Sequence, residues 1–380
     1  MNFTAGKKIP TISPVTWLVL SCMLLLAWGG FTIYSSGNLS GDSSFWGWRQ
    51  LGWTGIGLLV LLGATVCNFE WMYRRTFWLS GIAALPLLLV WVTGASINGM
   101  RGWYDFGGFF FQPSELAKPL FLLLLCRLAN EARSTWSCVI RLSVGYAVFA
   151  VPLVLQPDFG TLLVYTAGVV MVYWLYIGRK RWLFAGLAAA VPAVMLIVHN
   201  KNYVWRRFEG FWSPGSDPLG AGWHVLQLRY AMASGGLTGQ GIENTFWSNA
   251  YLPYSYCDSA FATMVEAVGA MGGIITLGLY LGIVLAAVKA AERDFRPVRS
   301  VFVVAGAGLI VIQALIHISV NVTLMPVTGL TCPLLSYGGS SLTGTLLLLG
   351  MMLAALRKNG VPMIPENIGN GGGEPSRMDQ

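Results

Sequence analysis

The chain has 380 residues, 55% of them apolar and only 11% charged, with a net charge of +8 and a mean hydropathy of +0.61. Soluble domains carry about a quarter charged residues, so a chain of this composition could not cover its own surface in water. Its basic residues are scattered over short segments instead of forming one patch, which argues against nucleic acid as a partner.

In chain order, apolar stretches near the bilayer-crossing length lie at about 16–35, 51–68, 77–94, 113–128, 139–155, 160–178, 182–198, 260–289, 300–322 and 339–356. Backbone polar groups in lipid must be paired internally, and strand-type alternation is absent. The expectation is an all-α polytopic membrane protein of about ten transmembrane helices, with one large extracytoplasmic loop at roughly 199–259. The first span follows Lys7 and Lys8 without an obvious cleavage site and reads as a retained helix. With both termini cytoplasmic, clusters such as Arg74-Arg75, Arg179-Lys180-Arg181 and Arg357-Lys358 fall inside and few basic residues fall outside. Residues 1–15 are then a cytoplasmic segment, 16–357 the membrane domain and 358–380 a cytoplasmic, Gly-rich tail that reads as disordered. The six cysteines lack CxxC spacing and read as buried thiols.

Function is sought where the chain breaks its own apolar rule, because ionisable groups in or beside spans face cavities or partners. Gln112-Pro-Ser-Glu115-Leu-Ala-Lys118 opens the fourth span, with Glu115 and Lys118 on one helix face. Taken alone, an ion pair closing a helix end explains them better than a substrate contact does. Gln156-Pro-Asp158 forms a short turn in which Asp158 can cap the next helix. The 199–259 loop carries Arg206, Arg207, Asp217-Pro-Leu-Gly-Ala-Gly222 and Gly235-Gly-Leu-Thr-Gly239-Gln-Gly241, whose glycines could let backbone N–H groups approach a phosphate. Next come Tyr251-Leu-Pro-Tyr-Ser-Tyr256-Cys257-Asp258 and Glu266, where a half-buried carboxylate can act as general base. Capping by Asp258, with Glu266 paired to a cation such as Lys118, is the bland alternative. Last, Asn321 to Ser341 interrupts two apolar helices with Pro326, Pro333, glycines and hydroxyls including Ser336, as backbone lining a cavity does.

These stretches, in this order, resemble the SEDS family of bacterial wall polymerases, the FtsW, RodA and SpoVE group. The resemblance runs from about Arg49 to Arg357. It implies a ten-helix peptidoglycan glycosyltransferase of the bacterial cytoplasmic membrane that polymerises lipid II on the outer face. A class B penicillin-binding transpeptidase and other division or elongation proteins would be its partners. Asp258 would be the catalytic carboxylate, as general base or as organiser of a divalent cation, Mg or Mn; no other cofactor is implied, and no metal ligand set is specified. Arg101, Arg206 and Arg207 would meet the pyrophosphate. Asp158, Glu115 and Lys118 would line or brace the cavity, with Glu266 and Ser336 as further substrate contacts.

The chain departs from the family where His-Thr-Asp becomes Tyr256-Cys257-Asp258 and a Glu-Glu pair becomes Glu266-Ala267. A basic residue upstream becomes Ser248 or Asn249, and an adjacent Arg-Trp becomes Arg101-Gly102-Trp103. The interval from Gly241 to Pro253 leans toward the division-type FtsW, whereas the 217–224 stretch is shared with elongation-type members. A flippase for the lipid precursor and a catalytically weakened division scaffold are the competing expectations.

Overall fold

The computed structural model describes residues 12–36, 43–97, 99–107, 109–178, 202–292 and 297–357. The expected span at 182–198 and the chain ends at 1–11 and 358–380 lie outside these residues.

The chain begins with α1 (Pro14–Ser35), started by Ser13, whose hydroxyl accepts the Thr16 N–H, and by a proline in the first turn where no N–H is needed. There follow α2 (Ser43–Val66), the short α3 (Phe69–Arg74) and α4 (Thr76–Thr93). A small antiparallel sheet comes next, β1 (Ala95–Ile97), β2 (Met100–Asp105) and β3 (Phe110–Phe111), in that order. After it stand α5 (Pro113–Asn130), α6 (Thr135–Leu155) and α7 (Phe159–Ile177). The segment expected as one large loop folds into α8 (Asn202–Trp212), α9 (Trp223–Gly235), a 3-10 turn and α10 (Phe246–Ala250). Three long helices close the described chain: α11 (Ala260–Ala291), α12 (Pro297–Asn321) and α13 (Gly339–Leu356).

Among the described residues, eight helices are long and apolar enough to cross a membrane: α1, α2, α4, α6, α7, α11, α12 and α13. The expected fourth span is α5, as long as α4 but holding Glu115, Lys118 and Arg127. It is buried along most of its length, so protein instead of lipid surrounds Glu115 and Lys118, while Arg127 stands in the last turn. α13 sits at the centre of the bundle, with 78% of its apolar window buried against 17% for α2, which faces outward. At Gly344 the α13 backbone lies against the Glu115 carbonyl, where a Cβ would fall 2.4 Å from the oxygen.

α11 is broken once. Gly269 has φ 74 and ψ −176, outside any helix, and the 236–241 segment docks on the backbone freed there. Ala270 N–H donates to Gly236 O at 2.9 Å, while Gln240 and Gly241 donate to the carbonyls of Glu266 and Ala267 at 2.9 and 3.0 Å. A Cβ at Gly239 would fall 2.3 Å from the Ala267 oxygen. The glycine run therefore serves backbone-to-backbone docking, and these N–H groups are committed to α11 and not turned toward a phosphate. Two further differences from expectation have plain causes. The sheet at 95–111 is too short for alternation to register, and the long loop is helical because Leu228 and Ala231 of α9, with Leu252, pack on Ala262 of α11.

Candidate functional site

The site lies where helix ends meet: the starts of α5, α7, α11 and α13, the end of α12 and the α8–α9 segment. Asp258 stands just before α11, in a turn where Cys257 and Ser259 N–H both donate to Tyr254 O at 3.0 and 3.2 Å. Asn321, the last residue of α12, holds this turn from one side. Its Nδ2 donates to Asp258 O at 3.1 Å and its Oδ1 accepts Ala262 N–H at 3.0 Å. The irregular 322–338 segment holds it from the other. Ser336 Oγ donates to Cys257 O at 2.8 Å, and Tyr337 N–H donates to Tyr256 O at 2.8 Å.

The Asp258 carboxylate faces Gly329, whose φ of +72 keeps it in the left-handed region; a Cβ there would lie 3.8 Å from Asp258 Oδ2. Asp258 is half-buried. Burial raises its carboxyl above the ordinary range, while a hydrogen bond from Cys257 and the charge of Arg207 oppose the rise. Arg207, on α8, donates through Nη1 to Val327 O at 3.0 Å. Its charge acts on both Asp258 and Asp158, and its own pKa is lowered by burial. His224 on α9 reaches the residue after Asp258, with Nε2 2.9 Å from Ser259 Oγ. That hydroxyl already donates to Pro253 O, so His224 Nε2 is the donor to it. Burial and then Arg207 push the His224 pKa down to about 4, so the ring is neutral at neutral pH.

Asp158 caps α7, accepting Thr161 N–H at 3.1 Å through Oδ1 and Gln112 Nε2 at 3.1 Å through Oδ2. Burial raises its carboxyl, and the Thr161 bonds oppose this. Gln112 N–H donates to Ser340 Oγ at 3.0 Å, so one residue joins the α5, α7 and α13 starts. Deeper in, Glu115 and Lys118 form a buried ion pair at 2.5 Å, and Lys118 also donates to Gln313 Oε1 at 2.6 Å.

The expected site residues thus divide. Arg207 comes into electrostatic reach of both Asp258 and Asp158, with Glu115 and Lys118 behind Asp158. Arg101 on β2 and Arg206 on α8 are exposed, and the cation acting on Asp258 is Arg207. Glu266 is internal rather than a substrate contact, and it does not meet Lys118. It accepts Trp247 N–H and Ser248 N–H, each at 2.8 Å, and a short bond from the Ser248 hydroxyl, fixing α10. Ser336 is likewise internal, because its oxygen also accepts Cys332 N–H at 2.9 Å. Tyr256, where the family has His, stacks on Trp46 at 4.2 Å, with Tyr337 edge-on to both rings.

Among the described residues no three His, Cys, Asp or Glu side chains gather into a metal-binding group. One carboxylate set beside a guanidinium is a donor set that does not fit a divalent cation. Sequence reasoning missed Asn321, Gln112 and His224 as site builders. The first two stand at the ends of the flagged polar stretches, and His224 lies two residues after the 217–222 turn, so position was the available signal.

The FtsW/RodA/SpoVE family model, described as cell cycle protein, matches residues 12–360. Stage V sporulation protein E of Bacillus subtilis is 32% identical over 91% of this chain and 97% of its own length. A probable peptidoglycan glycosyltransferase FtsW of Thiomicrospira cyclica is 34% identical over 88% of this chain and 90% of its own. Among solved structures, a chain of a peptidoglycan synthase complex that coordinates polymerization and crosslinking is 30% identical. It superposes with a TM-score of 0.76 over 89% of this chain and 96% of that one. The rod shape determining protein RodA of Thermus thermophilus gives 0.69 at 27% identity, over 91% and 97%.

Proposed function

The chain belongs to the FtsW/RodA/SpoVE family, and on that premise we propose that it is a peptidoglycan glycosyltransferase polymerising lipid II at the outer face of the bacterial cytoplasmic membrane. The observation that carries the reading is Asp258: a half-buried carboxylate at the meeting of helix ends, held through its own backbone and coupled to Arg207.

In the reaction the acceptor's sugar hydroxyl attacks the anomeric carbon of the donor. The new bond forms from that oxygen, the bond from carbon to the pyrophosphate oxygen breaks, and undecaprenyl pyrophosphate departs with the electron pair. Asp258 takes the hydroxyl proton. A carboxylate with a raised pKa is the better base, since proton transfer is most favourable when the base's pKa lies near the working pH. Arg207 stabilises charge on the leaving pyrophosphate in a site of reduced dielectric, where a fixed cation acts strongly. Arg101 and Arg206, exposed at the same end, draw the anionic lipid headgroup toward the site. Asp158, Glu115 and Lys118 brace the wall beneath.

A class B penicillin-binding transpeptidase is the proposed partner, in keeping with the synthase complex among the structural neighbours. Both termini are assigned to the cytoplasm. Tyr256 and Cys257 replace polar family residues but leave the carboxylate anchored, which supports an active enzyme over a silent scaffold. The test is conversion of labelled lipid II to glycan chains by the purified chain with its partner. Asp258→Ala and Asp258→Asn are expected to abolish polymer. Equal product from either would remove Asp258 from the mechanism, and translocation of lipid II without polymer would favour a flippase.

A further inference from the structure

α12 carries a stripe of three polar side chains at a four-residue interval, Gln313, His317 and Asn321, all nearly inaccessible and on one helix face. Each is bonded to the backbone of the site. Gln313 Nε2 donates to Thr331 O at 3.0 Å, His317 Nδ1 lies 2.7 Å from Leu330 O, and Asn321 Nδ2 donates to Asp258 O at 3.1 Å. Gln313 also accepts from Lys118, so the stripe runs from the buried ion pair to the Asp258 turn.

His317 is the member whose chemistry is not accounted for by packing. A carbonyl only accepts, so Nδ1 carries the proton, and in the neutral ring Nε2 is then an acceptor. Nε2 is buried and has no hydrogen-bond partner among the described residues. Leaving a buried acceptor unpaired is unfavourable, so the imidazole at this position is explained by what Nδ1 does. Nδ1 fixes the carbonyl of Leu330, next in the chain to Gly329, which adopts the left-handed conformation facing Asp258 Oδ2.

We propose that His317 is a positioning residue for glycosyl transfer: through Nδ1–H it fixes the 329–330 backbone that forms the wall opposite Asp258. This rests on the reading of Asp258 as the base. Displacing one wall of a reacting site by about 1 Å can cost on the order of a hundredfold in rate, while substrate contacts made by other residues persist. The effect should therefore fall on kcat and leave KM nearly unchanged.

The amide nitrogen of Asn falls where imidazole Nδ1 does, whereas that of Gln lies one bond further out, near Nε2. In the lipid II assay, with the full chain and its partner, His317→Asn is expected to retain kcat within about threefold. His317→Gln and His317→Leu are expected to lose about tenfold or more, with KM moving less than about threefold. A purely structural role would instead lower the thermal midpoint and KM-independent yield of Asn and Gln variants alike. If His317→Leu fails to fold, the comparison of Asn with Gln decides. Equal kcat for the Asn and Gln variants, or a wild-type kcat in His317→Leu, overturns the proposal. Asp258→Ala is run beside them. Full activity there would defeat the reading of Asp258, whereas a dead Asp258→Ala with indifferent His317 variants defeats the positioning role alone.

Discussion

Replacing Lys118 by Met leaves the Glu115 carboxylate buried without its cation and Gln313 Oε1 without its donor. Both partners of this ion pair are almost fully inaccessible, so the discount that applies to surface pairs does not arise. Breaking a buried pair from one side costs about 3–5 kcal/mol, because the remaining charge is uncompensated. Glu115→Gln should lie at the low end, about 3 kcal/mol, since Lys118 keeps Gln313 as a partner. The double variant removes both charges and leaves mainly the Gln313 acceptor unsatisfied, about 1–3 kcal/mol. The singles together would cost at least about 6 kcal/mol, so the cycle predicts a coupling of about 3 kcal/mol or more. Unfolding in mixed micelles, followed by tryptophan fluorescence, measures it. Additive singles, or either single below about 1 kcal/mol, would refute the claim that the pair is a desolvated unit. Polymerisation by the same four proteins separates two roles. If the pair only braces the cavity, activity returns with stability in the double variant; if it touches substrate, activity stays lost.

The pH dependence follows from Asp258. Its carboxyl is raised by burial and must be ionised to act as the proposed base, so activity should rise with pH through that raised value; Arg207→Gln removes an opposing charge and should move this acid limb to higher pH. An unmoved or lowered limb would sever the two residues. For stability the sign reverses. A carboxyl whose folded pKa is raised binds its proton more tightly when folded, so its contribution is present at low pH and is lost as pH rises through the folded value. Asp258→Asn should accordingly unfold at a higher temperature than wild type at neutral pH while making no polymer; a lower midpoint would contradict the burial account. Glu266→Ala leaves Trp247 and Ser248 N–H groups without their acceptor and should cost about 2–3 kcal/mol, with faster amide exchange confined to residues around α10. Gly329→Ala has room for its methyl but must hold φ near +72, at about 1–2 kcal/mol of backbone strain, and a fall in kcat larger than the change in KM should accompany it.

Long apolar runs were legible because a bilayer-spanning helix needs little more than length and composition. The spans expected at 77–94, 160–178 and 260–289 correspond to α4, α7 and α11 to within a few residues. The small sheet was not legible. β1 and β3 have three and two residues, fewer than a period-two pattern needs to stand out. Nor was the break at Gly269, because its cause lies elsewhere in the chain. A glycine inside an apolar helix looks ordinary until Gly236, Gln240 and Gly241 supply the groups that pair with the freed backbone. The glycine run at 235–241 and the glycine at 269 are two halves of one feature, separated by about thirty residues.

In the candidate site the types of residue were visible before their duties were. Asp258, Glu266 and Ser336 were all marked by the same rule, that polarity in an apolar chain has a purpose. The structure gives them different purposes, and accessibility is what separates them. Glu266 and Ser336 are 1% and 4% exposed with their oxygens bonded internally, whereas Asp258 keeps part of its surface open. A sequence records polarity but not the direction of a side chain, so it cannot tell a residue that meets substrate from one that holds such a residue still. In a membrane protein that second class is large. A carboxylate at the end of a helix needs its loop fixed without water to bridge the gaps, and Asn321, Ser336 and His317 do this through backbone carbonyls. The density of internal polar bonds around Asp258 is therefore what marks the candidate site: the proposed carboxylate is surrounded by buried donors, Asn321, Ser336 and His317, that bond the backbone on either side of it.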